Sequence, residues 1–379
     1  MKRIFTVIFI IFSVILLCMT VHCEDVANDI ASSISGELSD FKNALPDYVL
    51  DYMPNEVLDG NYDKLLSGEI NEHSLLELSV SYLFSGIDTV LKSFATILAV
   101  IIIISIFNTI ASSQEFSGSN VLSLCSTLCI SVAVFSVCQQ ICINVTEYLR
   151  VLCSVMNAFL PIIISILSMG GNITSATVIN GTMLLIINLV EGFLIAFMLP
   201  LIKICLSFAC IKGVNPSIDF GGISKTIKTA FSSVTVFIMS IFLFVLSFKS
   251  TLSQSADSVS IKTARFAISS FVPLVGASVN DALRTVNSSL DLIKKSSGII
   301  GIISLAVLML PIIINLFLNK LSFNILSSVA KMINVNNESA ILEEADSICG
   351  FLLTIVSCTC VLFIFALTIF IKTGVNISA

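Results

Sequence analysis

The sequence predicts an all-α polytopic membrane protein with about seven transmembrane helices after an N-terminal signal and an amphipathic helical block between spans five and six. Two observations carry that class. Of 379 residues, 56% are hydrophobic and only 12% are charged, whereas a soluble domain is about a quarter charged. Apolar runs near 20 residues, about the length that crosses a bilayer core, recur from residue 94 to the end. A soluble fold of this composition would expose apolar patches large enough to aggregate.

The chain opens on Lys2 and Arg3, then a 14-residue apolar run from Ile4 to Leu17, then Val21-His22-Cys23. A basic start, a short apolar centre and a cleavage-like end form a signal peptide over residues 1–23, removed between Cys23 and Glu24. Residues 24–88 follow as an acidic extracytoplasmic helical segment. Fourteen Asp and Glu face only Lys42 and Lys64 there, so the net charge of −6 is a property of this segment. Within it Val26, Ile30, Ile34, Leu38, Phe41 and Leu45 recur every three or four residues, an amphipathic helix that stops at Pro46.

The candidate spans are Phe94–Ala111, Val121–Ile143, Val151–Met169, Val178–Ile202, Ala230–Phe248, Gly298–Leu318 and Cys349–Ile371. Five fall in a membrane domain over residues 89–248, and two in residues 298–379. The run from Val178 to Ile211 is interrupted by Pro200 and Lys203, and reads either as one kinked span or as a span with a re-entrant stub. Seven crossings from an outside start leave Ala379 in the cytoplasm. Seven Lys and Arg fall inside and eight outside, so orientation rests on the signal alone.

Between spans five and six, residues 249–297 form the amphipathic block. Val275, Val279, Leu283, Val286 and Leu290 make an apolar stripe suited to a partner or an interface. A second stretch, Leu321–Asn336, leads into the acidic cluster Glu338, Glu343, Glu344 and Asp346. Inside the spans, Asn180, Asn188 and Glu191 lie within about 80° of one another on a helix, a candidate intramembrane polar stripe. Its readings are a proton or ion site, the wall of a hydrated passage, or a hydrogen-bonded carboxylic acid that fixes helix packing.

The twelve cysteines fall beside the signal or in apolar runs, where they read as small buried hydrophobes rather than disulfides. With two histidines and no clustered Lys or Arg, neither a metal site nor nucleic-acid binding is expected. No His-Glu-x-x-His, Gly-x-Ser-x-Gly or Walker loop occurs, so no enzyme, catalytic residue or cofactor is expected.

The residues Val259-Ser-Ile-Lys-Thr-Ala-Arg-Phe266, Phe271-Val-Pro-Leu-Val-Gly276, Asp281-Ala282 and Ser289 through Lys294, with Gly298 and Gly301, resemble the stage III sporulation protein AE family. The order of parts agrees across nearly the whole chain. Ser269-Ser270 stand where relatives tend to have Gly-Asn, and Arg284 where an acid is common. The Gln-Pro-Leu-Gly turn of relatives is absent around Ala330–Asn336. The resemblance implies a non-enzymatic subunit of a channel-like complex between mother cell and forespore, in the mother-cell membrane surrounding the forespore. It also implies partners among the other stage III sporulation membrane proteins, and a role in late forespore development. The competing readings are a stand-alone carrier that uses Glu191, and a membrane scaffold with no conduit of its own.

Overall fold

The computed structural model describes residues 72–113, 119–214, 220–271 and 276–373, with Asn43 and Leu45. Among these residues every element is helical: α1 Glu72–Ser113, α2 Ser119–Met169, α3 Ile173–Leu189, a π segment Val190–Ile195, α4 Ala196–Val214, α5 Gly221–Phe271, α6 Gly276–Met332 and α7 Asn336–Lys372. The signal, with its Cys23–Glu24 junction, and the amphipathic helix at Val26–Leu45 lie outside the described residues, Leu45 apart.

Six stretches are long and apolar enough to cross a membrane: Ile87–Thr109, Leu124–Met169, Ile173–Val214, Gly221–Thr263, Ile293–Met332 and Asn336–Lys372. The expected seven therefore become six. Val121–Ile143 and Val151–Met169 belong to one unbroken helix, α2. Nothing between them breaks a helix: Asn144 to Arg150 contains neither Gly nor Pro, and Glu147 pairs with Arg150 one turn on at 3.8 Å. Six crossings return the end of α7 to the side where α1 begins, whereas seven would separate them.

The run from Val178 to Ile211 is one stretch rather than a span with a stub. It widens into the π segment one turn ahead of Pro200, where the proline lacks the N–H that the Ala196 carbonyl would accept. The amphipathic block at 249–297 is divided between two helices. Its two halves continue α5 to Phe271 and begin α6 at Gly276.

Two tight turns make antiparallel neighbours. After α2, Gly171 takes φ of 75° and the Asn172 N–H returns to the Leu167 carbonyl at 2.9 Å, closing the helix end. Between α6 and α7, Asn334 takes φ of 63° and the Val335 N–H bonds the Ala330 carbonyl at 2.9 Å. Asn is among the few side chains that enter the left-handed region readily, so Asn334 makes this turn without a glycine.

Helix α7 is the most buried span and lies parallel to α2 in constant register. Ser126 meets Glu338 and Tyr148 meets Cys360, each pair 212 positions apart. Phe159 meets Phe370 edge-on with ring centroids 6.4 Å apart. Helix α6 approaches both through two glycines. A Cβ on Gly301 would lie 2.9 Å from Phe159 and 3.0 Å from Leu367, and one on Gly298 would overlap Ile371. Small residues of this kind let membrane helices come close enough for dispersion to hold them.

Gly301→Leu therefore forces α6 away from α2 and α7. Overpacking costs about 1–3 kcal/mol, so a thermal melt in detergent should fall by several degrees. Gly222→Ala, where a Cβ meets open space, should leave the melt unchanged.

Candidate functional site

The acidic cluster at the start of α7 is shared among three other helices. Glu338 accepts hydrogen bonds from Ser126 at 2.7 Å and Thr127 at 3.4 Å on α2. Glu344 accepts from Lys228 of α5 at 2.6 Å and from Ser224, and Lys228 also donates to Ser347 at 2.7 Å. Asp346 holds Lys320 of α6 through both oxygens at 2.8 Å, and Glu343 pairs with Lys331. Lys228 and Glu344 are 6% and 13% exposed, so their charges are withdrawn from water and depend on each other.

A second polar layer closes the other end of the bundle. Asp257 of α5 accepts the Thr174 and Ser175 N–H groups at 3.0 and 2.9 Å, and the Ser175 hydroxyl at 2.6 Å. A carboxylate from a neighbouring helix thus caps the free N–H groups that begin α3. Ser250 and Gln254 meet the Thr373 hydroxyl, while buried Lys294 donates to the Thr373 carbonyl at 2.8 Å and to Asp291 at 2.6 Å. Burial alone would raise the Asp291 carboxyl, but the hydrogen bonds and charges of Lys294 and Lys295 outweigh it and hold it below its ordinary value.

The separation of these layers fits a bilayer. From Asp346 to Thr373 on α7, Lys294 to Lys320 on α6 and Lys228 to Asp257 on α5, the helical rise amounts to about 39–44 Å. That matches a hydrocarbon core with its headgroup regions, about 40–45 Å. The paired charges therefore sit at headgroup depth.

Between the layers, α2 carries a polar stripe on its outer face. Ser136, Gln139, Gln140, Asn144, Glu147, Arg150, Ser154 and Asn157 are all exposed, with the exposed apolar Ile143 among them. At 100° per residue they span about 140° of the helix circumference. From Ser136 to Asn157 the rise is about 32 Å, close to the thickness of the hydrocarbon core. Gln140 donates to Asn144 at 2.9 Å, and the Glu147 and Arg150 side chains are 68% and 62% exposed. By the register with α7, Tyr148 lies level with Cys360, so Glu147 and Arg150 stand midway between the layers. A lone charge at that depth facing lipid costs roughly 2.5–3.5 kcal/mol on insertion scales.

Helix α3 packs against α2 and brings part of the sequence-predicted stripe to the same depth. Arg150 precedes the end of α2, and Glu191 follows the start of α3, by a rise of about 27–29 Å. Asn188 and Glu191 point outward, Asn180 is half-buried, and Glu191 lies in the π segment. Glu191 thus stands exposed at the same depth as the α2 stripe. Hydropathy hides the α2 stripe, because the polar residues from Asn144 to Arg150 read as a break between the apolar runs Val121–Ile143 and Val151–Met169. The visible signal was polar residues at helical spacing with no helix breaker.

The expected partner stripe is placed only in part. Leu290 is buried within the bundle. Val279, Leu283 and Val286 lie on α6 with their side chains outside the described residues, as is Val275 altogether. The described cysteines are free thiols. Cys138, Cys142, Cys153, Cys205, Cys349 and Cys360 are buried, but Cys125 and Cys129 are exposed. Among the described residues no group of three or more His, Cys, Asp or Glu is placed to hold a metal.

These features define a multi-pass α-helical membrane protein with charge-paired ends and a polar outer face at mid-membrane depth. The chain belongs to the stage III sporulation protein AE family, whose model matches residues 61–374. It is similar to the stage III sporulation protein AE of Bacillus subtilis (strain 168), at 26% identity over 159 residues. That match covers 41% of this chain and 39% of the relative. No solved structure matches the chain.

Lys228→Met leaves the Glu344 carboxylate buried without its cation, a loss on the order of 3–5 kcal/mol. The variant should melt well below the parent, and the double variant Lys228→Met/Glu344→Gln should recover much of the difference. At the other layer, the folded-state value of Asp291 is depressed. Its contribution is complete above the unfolded carboxylate range and is lost as pH falls through the folded value. Asp291→Asn should therefore lower the melting temperature at neutral pH and flatten its decline in acid, where the variant and parent curves converge.

Proposed function

We propose that this chain is a non-enzymatic membrane subunit of a channel-like complex between mother cell and forespore, supporting late forespore development. Family membership supports the sporulation role. The observation that carries the channel reading is the polar outer face, which reaches across the full hydrocarbon thickness. A scaffold needs apolar or small-residue contacts with its partners, not glutamine, asparagine, glutamate and arginine along 22 residues of one lipid-depth helix. The other stage III sporulation membrane proteins are the proposed partners, and the mother-cell membrane around the forespore is the proposed location.

Glu191 separates this reading from a stand-alone carrier. A proton-coupled carrier requires a carboxyl that changes charge within the membrane, which glutamine cannot do. A lining or packing group needs only its hydrogen bonds.

In an endospore former lacking the gene, the parent chain should restore spore formation, and affinity purification from sporulating cells should retain other stage III membrane proteins. Glu191→Gln should restore spores to near parental numbers. Purification of the chain alone, together with loss of sporulation in an abundant Glu191→Gln variant, would favour the carrier.

A further inference from the structure

We propose that several copies of this chain stand side by side, with their α2 stripes turned inward around a water-filled passage for small hydrophilic solutes. The proposal deepens the channel reading and rests on it.

The surface of the bundle is divided into two kinds of face at the same depth. On α5 the outward side chains include Phe237, Phe244 and Phe248, 66%, 70% and 60% exposed, a surface that suits lipid. On α2 the outward side chains at that depth include Asn144, Glu147, Arg150 and Ser154. An ion pair in hydrocarbon is stable only when its remaining donors and acceptors are satisfied, and Glu147 and Arg150 are both more than half exposed. Lipid tails cannot satisfy them. One wet face and one oily face make each copy a stave.

Water is favoured over a dry protein contact by the length of the stripe. A dry contact would need a matched partner for every polar group across the core, since each unmatched one is costly. Water matches any arrangement. A further copy is favoured over an unrelated helix by depth. Every copy of one sequence inserts in the same orientation, so its stripe meets its neighbours' stripes at the same level along the whole core. The stripe also carries both signs of charge, in Glu147 and Arg150. Neighbouring copies therefore set acids near bases rather than acids alone.

The test uses the full chain with Cys125 and Cys129 replaced by serine, reconstituted in lipid vesicles. Single cysteines are placed at Asn144, Ser154 and, as the lipid-facing control, Phe244. A membrane-impermeant cationic methanethiosulfonate reagent should modify Asn144→Cys and Ser154→Cys at least tenfold faster than Phe244→Cys. Photobleaching of a single fluorophore per chain in nanodiscs should show more than one copy per particle. Slow modification of the stripe overturns the water-filled lining, whatever the copy number. Fast modification with a single copy per particle overturns self-assembly and assigns the cover to another part of this chain or to a partner. Either failure leaves the channel-complex reading standing if the parent chain still restores sporulation and retains its partners.

Discussion

The four acids at the head of α7 are the constraint on which the rest of the bundle depends. Each is met by a different arrangement: two hydroxyls of α2, a buried lysine of α5 with its serine, and two lysines of α6. Hydrophobic burial does not distinguish one register of an apolar helix from another, because sliding by a turn exchanges one aliphatic contact for another. Buried charge does distinguish them, since an offset partner leaves an unpaired ion. The acidic head fixes α2, α5 and α6 in depth relative to α7. The apolar seam of Tyr148 with Cys360 and Phe159 with Phe370 then follows at a constant offset.

With both ends pinned by polar layers, the charges left in the core become conspicuous. The protein keeps Lys228, Lys294, Asp257 and Glu344 inside and partnered, yet turns Glu147, Arg150 and Glu191 outward at mid-depth. A fold able to bury four ionisable groups so thoroughly has not merely failed to bury the other three. The contrast within one molecule gives the outer face its meaning.

Much of this was legible in the sequence, and its gaps have physical causes. Composition and 20-residue apolar runs were sufficient for the all-α membrane class, because lipid leaves a backbone few ways to satisfy itself. The acidic cluster was visible, but its lysine partners lie 12 to 116 positions away and only the folded chain joins them. The interval from Asn144 to Arg150 misleads because hydropathy averages over a window and ignores azimuth: Asn144, Glu147 and Arg150 face outward from an uninterrupted helix, while Val145, Tyr148 and Leu149 between them are buried. Glu191 was noticed because it stood alone in a hydrophobic run. Glu147 and Arg150 were missed because they stood together.

The widened turn at Val190–Ile195 governs phase. From Ile186 the core-facing residues run Val190, Leu194, Met198 and Ile202, always four apart. An ideal α-helix turns about 100° per residue, so each such step overshoots a full turn by about 40°. Four steps would swing the apolar edge by about 160°, nearly to the opposite side. A turn of larger circumference absorbs part of that drift, and the same 42-residue stretch can keep one edge against α2 from end to end. Loss of a single residue there would preserve helicity and composition. It would nonetheless rotate everything beyond by about a quarter turn, putting Leu199, Lys203 and Leu206 where Met198, Ile202 and Cys205 face inward. In this helix, residue count is as much a part of the fold as residue identity.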